Sequence, residues 1–573
     1  MKVKNVCVLL LFVASAAFTQ SIINPSDSFY DDLRVWETLG LVSNLPPLRP
    51  YPEPLVRALL EQVIQSGNAA QSEKARVQQE RLFGKTIHVG AESSANIGAG
   101  DNNDAQLDMS LLSTGHLSLM DVFSVSYDIN LLASNKTPDE EVLPAYSGYR
   151  YDTYKDNTAV GPVDIFAAFN SAAAIGSDKM WFQAGMSRSS WGNFYDNGVV
   201  INPSALHTGN MAFVLNQPTW NYTLALFMLS ASTDAGDYPY PEKFMAMHAV
   251  KFAPLKWLEF AYYENAVYGK RIEPLYFLPI SPYMVSQQLN GYAEDNIQMG
   301  LEINIKPWTG FSWATNLFVD DLEFADVVKF DFDTKIRVAA QTGVTWIPPL
   351  PLVSLLSLDY TLVTPYTYAH YDYSDVNIGE DIERINYQNY THNGKNLGAT
   401  IPPNSDRVTL TARFEPLASL RVNTSLAFIR HANVNESLPA EYIAEYLAAE
   451  KEDNPRTDGS VMDSPNAGDG QFSISHEKLL FMEQETKQYV FQFGLDATWN
   501  LPPFKFGRLS FSIAYTFEYI KNNGIDRDMF PIPDDHDSTK QLEQKIDDAK
   551  AEWKAQLRDT INNYIWIGVR FTF

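Results

Sequence analysis

The stretch Asn562-Asn-Tyr-Ile-Trp-Ile-Gly-Val-Arg-Phe-Thr-Phe573 decides the fold class. Ile565, Ile567, Val569, Phe571 and Phe573 alternate with Tyr564, Trp566, Gly568, Arg570 and Thr572. A period of two puts one set on each face of a β-strand. One face is oily along its whole length, and the other tolerates an arginine and water. Alone, such a strand also fits an ordinary sandwich, so the question is whether the pattern recurs.

It does. After Gly84, Ile297, Met299, Leu301, Ile303 and Ile305 alternate with Gln298, Gly300, Glu302, Asn304 and Lys306. Phe123 to Leu131, Ile336 to Trp346, Tyr489 to Trp499 and Leu509 to Tyr519 repeat the pattern. From Thr86 to Phe573 there are about eighteen such segments, an even number as in single-chain bacterial barrels. Short proline-containing connections (Gln217-Pro218, Ala253-Pro254, Lys306 to Gly310, Ile347 to Leu352, Glu415-Pro416, Leu501 to Phe504) alternate with long polar ones at 232–243, 267–295, 321–334, 365–405, 431–486 and 521–561. Short periplasmic turns opposed to long external loops are the asymmetry of an outer-membrane barrel. Trp220, Trp257, Trp308, Trp346 and Trp499 cluster at the short turns, where indole suits a membrane–water boundary. The predicted fold is an all-β transmembrane barrel over residues 85–573.

Residues 1–20 read as a secretory signal peptide: Lys2 and Lys4, then the apolar run Val6 to Val13, then Ala14-Ser15-Ala16 or Ser15-Ala16-Ala17 as the cleavage site. The run is too short to span a membrane. The single cysteine, Cys7, lies inside it with no lipobox ahead, so the rest of the chain has neither disulfides nor thiolate metal sites. Losing Lys2 and Lys4 takes the formal charge from -26 to -28, which argues against nucleic acid or anionic lipid as a partner through bulk charge. Residues 21–84 form a helical module. Ser26 or Asp27 caps a helix ending at Gly40, Pro54 to Gln65 is amphipathic, and Ser72 to Leu82 is a third, polar helix. The module packs under the barrel or sits in its mouth, and the sequence does not choose. Glu441 to Ala449 and Leu542 to Leu557 predict helices within long loops, read as covering the barrel mouth.

No reaction, cofactor or metal is expected. The nine histidines are scattered and form no His-Glu-x-x-His helix. No Gly-x-Ser-x-Gly elbow occurs, although a triad assembled from separate strands stays open. The acidic runs Asp101 to Asp104, Asp234 to Asp237 and Asp534 to Asp537 lack calcium-loop spacing.

Three blocks carry a resemblance. The segment Ser187-Arg-Ser-Ser-Trp191-Gly-Asn-Phe-Tyr195-Asp-Asn-Gly-Val-Val-Ile-Asn202, the block Asn290-Gly291 through Glu302 to Asp321, and the opening Asp32-Leu33 to Gly40 are similar to the Wzi-type capsule assembly proteins. Trp191 stands where that family often has paired tryptophans, and Asn193 replaces its usual proline. The resemblance implies an outer-membrane barrel with an attached helical bundle, acting as a lectin that anchors capsular or exopolysaccharide at the cell surface. The last strand likewise resembles the closing strand of outer-membrane barrels, so Phe571 and Phe573 are the expected insertion signal for the barrel assembly machinery. Sugars are gripped by aromatic faces and planar polar groups. Arg188, Trp191, Asn193, Tyr195, Asp196 and Asn197 offer that mixture, as do Tyr366, Tyr368, Tyr371 and Tyr373. The first set equally fits an inward-folded constriction, and the second fits better as tyrosines that pack a loop down. The alternative function is a porin or solute-uptake channel, its bore lined by Glu302, Lys306, Arg337, Arg413, Arg421, Glu518 and Arg570.

Overall fold

A computed structural model describes residues 24–573 apart from 120–121, 138–139, 151–157, 234–238, 290–294, 323–327, 330–335, 371–372, 379–380, 450–460, 462–480, 532–533 and 535. The expected signal peptide lies outside the described residues. Eighteen antiparallel strands close into one barrel, running from Ile87–Gly100 round to Arg558–Thr572. First and last complete the ring: Gly90 faces Thr572, Ile97 faces Ile565, and the Phe573 N–H donates to the Val89 carbonyl at 2.7 Å. Closure pairs backbone groups that hydrocarbon would otherwise leave unsatisfied.

The alternation orients the wall. In the closing strand Ile561, Ile565, Ile567 and Val569 are exposed on the outside, while Asn562 and Tyr564 are buried within. A water-soluble sheet would show the reverse, so the solvent outside is lipid. Trp220, Trp257, Trp308, Trp346 and Trp499 are all exposed at the end with the short turns, which marks that end as periplasmic. No helix among the described residues is long and apolar enough to cross a membrane.

The module forms three helices: α1 (Ser28–Thr38), α2 (Glu53–Ser66) and α3 (Ala69–Phe83). Asp27 caps α1 by accepting the Phe29 N–H at 2.7 Å. The third helix starts three residues before the expected Ser72, because Asn68 supplies its cap to the Gln71 N–H at 3.0 Å. Phe29, Leu33, Trp36, Leu55, Val56, Leu59, Leu60 and Val63 form a core that continues into Trp181 and Val214 of the barrel wall. The module therefore sits in the periplasmic mouth, inside the ring. Its contacts are to the short-turn ends of strands: the Gly310 N–H donates to the Thr38 carbonyl (3.0 Å), Asn44 Nδ2 to the Gln217 carbonyl (2.7 Å) and Ser118 Oγ to Glu53 Oε2 (2.7 Å).

Two further helices, α4 (Tyr283–Leu289) and α5 (Ala440–Ala449), lie in extracellular connections, followed by α6 (Thr539–Gln556). Helices α5 and α6 join Tyr366, Val434, Ile525 and Met529 in a separate apolar cluster at the extracellular end. This is a cap over the barrel mouth. Leu542, Ile546 and Trp553 are its buried face.

Charge pins the module. Asp32, 1 % exposed, meets Lys74 Nζ at 2.8 Å, Arg421 NH2 at 2.6 Å and Gln78 Nε2 at 2.6 Å, while Asp31 meets Arg413 at 2.7 Å and Arg421 at 2.9 Å. Burial pushes the Asp32 carboxyl up, but Lys74 and Arg421 outweigh it and hold the group below its ordinary range. A depressed folded-state pKa contributes stability that is complete above the unfolded value and lost as pH falls through the folded one. Asp32's share of the docking is therefore expected to persist at mildly acidic pH and to fail only below the ordinary carboxylate range, whereas burial pushes the neighbouring Asp31 carboxyl up. Asp32→Ala leaves Lys74 with Glu415 and Arg421 with Asp31 and Glu415, so it should cost about 1–3 kcal/mol of docking energy, read as protease cleavage between α2 and α3 while the barrel stays resistant.

Candidate functional site

Past the module, the bore is filled by extracellular segments folded inward. Segment 188–207 descends between the strands Met180–Ser187 and Thr208–Gln217. Ser190–Trp191 pairs with Leu48–Arg49 of the module as a two-residue antiparallel ladder, so loop and module meet inside the ring. Trp191, 1 % exposed, packs at 5.4 Å on the Tyr263 ring. Gly192 has φ +85°, and a Cβ there would lie 2.8 Å from Glu302 Oε1. That close approach lets Glu302 Oε1 accept the Asn193 N–H at 2.6 Å.

The other residues of this segment face the module and the wall. Tyr195 donates its hydroxyl to Glu37 Oε2 at 2.9 Å and carries the Arg49 guanidinium 4.4 Å from its ring centre. Burial, with Glu37 beside it, holds the phenol well above its ordinary range, so Tyr195 acts as a fixed donor. Asp196 pairs with Arg34 at 2.8 Å and remains 62 % exposed. The Asn197 carbonyl accepts from Gln341 Nε2 at 2.6 Å. Arg188 ties two extracellular connections together, donating to the carbonyls of Tyr149 (2.8 Å) and Ser204 (3.3 Å).

The tyrosine-rich segment divides. Tyr368 is fully buried, stacks with Tyr390 at 5.5 Å and donates to the Val199 carbonyl at 2.6 Å. Tyr366 lies apart from it, buried in the cap cluster. Tyr373 opens a hairpin strand and faces Asn386. Tyr371 lies outside the described residues. The structure thus places Trp191 and Tyr368 in one interior cluster and Tyr195 in the module's core, with Arg188, Asn193 and Asn197 bonded around them and the Asp196 side chain largely exposed. It leaves Tyr366 in the cap and Phe571 and Phe573 together at the periplasmic rim, their rings 4.5 Å apart.

All but Arg570 of the inward charges named as a possible pore lining are engaged with the filling; Arg570 pairs along the wall and is more than half exposed. Lys306 bridges Glu37 (3.0 Å) and Glu259 (2.9 Å), and Lys251 meets Glu259 at 3.0 Å. Glu518 accepts the Ala145 N–H at 2.7 Å and Gln492 Nε2 at 2.8 Å, and Arg570 pairs with Glu92. Sequence reading missed the module's half of this lock, namely Arg34, Glu37 and Arg49. Their only signal was charge on the otherwise apolar α1 and on the link behind it. A cavity of about 2120 Å³ remains beside α3, bounded by Arg188 and Trp566 above and by Arg81, Arg421 and Arg508 near the periplasmic rim.

One constellation has catalytic types: Ser405 Oγ lies 2.8 Å from His431 Nδ1, and His431 Nε2 lies 2.5 Å from Asp526 Oδ1. Ser405 is fully buried and His431 is 3 % exposed, so the hydroxyl has no face open to a substrate. Among the described residues no group of three or more His, Cys, Asp or Glu is placed to hold a metal.

The fold defines the class: an eighteen-stranded outer-membrane β-barrel that carries a helical module and inward-folded loops in its bore. No protein-family profile matches the sequence, and no curated protein matches it. Among solved structures, the chain is similar to Wzi of Escherichia coli, an outer-membrane protein involved in group 1 capsule assembly and a carbohydrate-binding β-barrel. The TM-score is 0.52 at 11% identity, covering 96% of this chain and 99% of that one. It also aligns with OpdL of Pseudomonas aeruginosa (TM-score 0.41, 9% identity, 85% and 98% covered) and with OprD of the same organism (0.40, 8%, 85% and 94%). At these identities the likeness is one of fold.

Gly192→Ala is expected to cost about 1–3 kcal/mol through overpacking against Glu302. Asn197→Ala, which keeps the backbone carbonyl bond, should cost less than about 1 kcal/mol. Unfolding in detergent followed by tryptophan fluorescence distinguishes the two.

Proposed function

We propose that this protein holds surface polysaccharide at the outer membrane, without transforming it and without conducting solutes. The observation that carries this reading is the interlock of segment 188–207 with the helical module, which fills the bore that a channel needs open. Eighteen strands enclose a water-wide lumen unless something occupies it, and here module and loops occupy it with paired charges. The resemblance of the Trp191-Gly192 segment to Wzi-type proteins supports the same reading, as does the likeness in fold to a carbohydrate-binding barrel involved in capsule assembly. We assign the saccharide to the extracellular face, with Tyr371 and Tyr373 as aromatic contacts. Trp191, Tyr195 and Tyr368 serve it indirectly, by fixing the loops. The cavity beside α3 favours the second reading, a solute channel, because it gives the periplasmic end an internal space.

In planar bilayers the full-length protein is expected to be silent, and removing residues 24–83 is expected to produce large open steps. Large steady steps from the full-length barrel would make it a channel. On a glycan array the purified protein should retain acidic or neutral surface polysaccharides, and Tyr371→Ala with Tyr373→Ala should abolish that retention at unchanged barrel stability.

A further inference from the structure

One patch of the described outer wall sets charged side chains among lipid-facing positions. Phe213, Leu224, His248, Glu264 and Met299 lie side by side across five strands, facing outward. Glu264 is six residues above Leu258, roughly 15 Å along the barrel axis at the usual rise and tilt, within an apolar band about 25 Å tall. A carboxylate and an imidazole facing hydrocarbon there are costly.

Neither faces it. Glu264 is 5 % and His248 8 % exposed, because the connection after Gly269 folds back down the outside of the barrel and covers them. The Tyr283 N–H donates to Glu264 Oε2 at 2.7 Å, and Tyr262 donates its hydroxyl to Oε1 at 2.5 Å. His248 Nε2 stands 3.1 Å from Oε2, and the Tyr283 ring lies 4.2 Å from the imidazole. Tyr268 and Tyr276 extend this underside, and Tyr276 donates to Asp295 at 2.6 Å.

The covering segment is inside out. It buries Glu273, Tyr276, Tyr283 and Ser286 and exposes Ile272, Leu278, Ile280, Met284, Val285 and Leu289. Residues 274–289 contain no charged side chain, in a chain that is 20% charged. The charges come at the ends, where Arg271 pairs with Asp295 at 2.5 Å and stays 36 % exposed, as a snorkelling side chain at a headgroup boundary does. An aqueous loop has no reason for this arrangement, whereas a segment in lipid requires it. The exposed face continues the apolar wall at Met228 and Leu301.

We propose that residues 271–289 are an outer-leaflet strap: they lie in the membrane against the barrel wall, apolar side to the lipid acyl chains, clamped from beneath by Glu264 and His248. The single cysteine, Cys7, makes the test direct. On a Cys7→Ser background, Ile280→Cys or Leu289→Cys is labelled with an environment-sensitive fluorophore and the barrel is placed in liposomes. Acyl-chain nitroxide lipids should quench the label several-fold more than aqueous iodide, as at Leu301→Cys on the bare wall and opposite to Lys540→Cys on α6. Iodide-dominated quenching would overturn the proposal by making the segment an aqueous loop. Protection from both quenchers, with crosslinking between copies through Ile280→Cys, would overturn it in favour of a protein interface. Replacing His248 and Glu264 together by leucine leaves a plain apolar wall. The barrel should stay heat-modifiable on gels while a spin label at Leu289→Cys becomes more mobile, and unchanged mobility would overturn the clamp.

Discussion

Closure of the strand ring is the constraint from which the other features follow. A chain in hydrocarbon must pair its own backbone, and a sheet does so only when its last strand returns to its first, as Arg558–Thr572 does to Ile87–Gly100. With eighteen strands the ring is too wide for its inward side chains to meet across the middle. The interior is then either water or imported polypeptide. Here it is largely polypeptide. The module enters from the periplasmic mouth, segments 188–207 and 387–401 enter from the opposite one, and Leu48–Arg49 meets Ser190–Trp191 where they touch.

Imported segments need addresses, and buried charge supplies them. Lys251, Glu259, Lys306 and Glu37 form a chain of alternating sign with every member under a tenth exposed. Such chains add little net stability over an apolar equivalent, but a mispaired member is expensive, so they discriminate between docked and misdocked arrangements. Asp31 and Asp32 on α1 do the same against Arg413 and Arg421 on two adjacent strands. The apolar module core could tolerate sliding, whereas the charges fix one register.

How much of this was legible follows from which solvent each residue meets. Wall strands carry lipid on one side and a polar interior on the other, so Ile565 to Phe573 and Ile297 to Ile305 announce their faces by alternation alone. The tryptophans at the short turns did the same for orientation. The position of the module was not legible, because Leu55, Leu59 and Val63 show the same apolar stripe whether they pack beneath a barrel or within it. Tyr366 and Tyr368 read alike in sequence, yet one is buried in the cap and the other under segment 188–207. A tyrosine suits a sugar face and a loop core equally, and only its neighbours decide. The strap was read as one more polar loop; its uncharged run from Pro274 to Leu289 was the available signal.

The same rule accounts for how far likeness to known barrels reaches. Outward positions need only be apolar, so Ile, Leu, Val and Phe exchange freely there, and two barrels can share a fold at 11% identity. What must be matched in detail is interior: which carboxylate meets which guanidinium, and where a glycine lets a loop pass. Gly192 against Glu302 and Asp196 against Arg34 are choices of this kind. A fold comparison is insensitive to them, and they decide whether the bore is open or shut. The functional reading therefore rests on the filling of this barrel more than on the shape it shares with others.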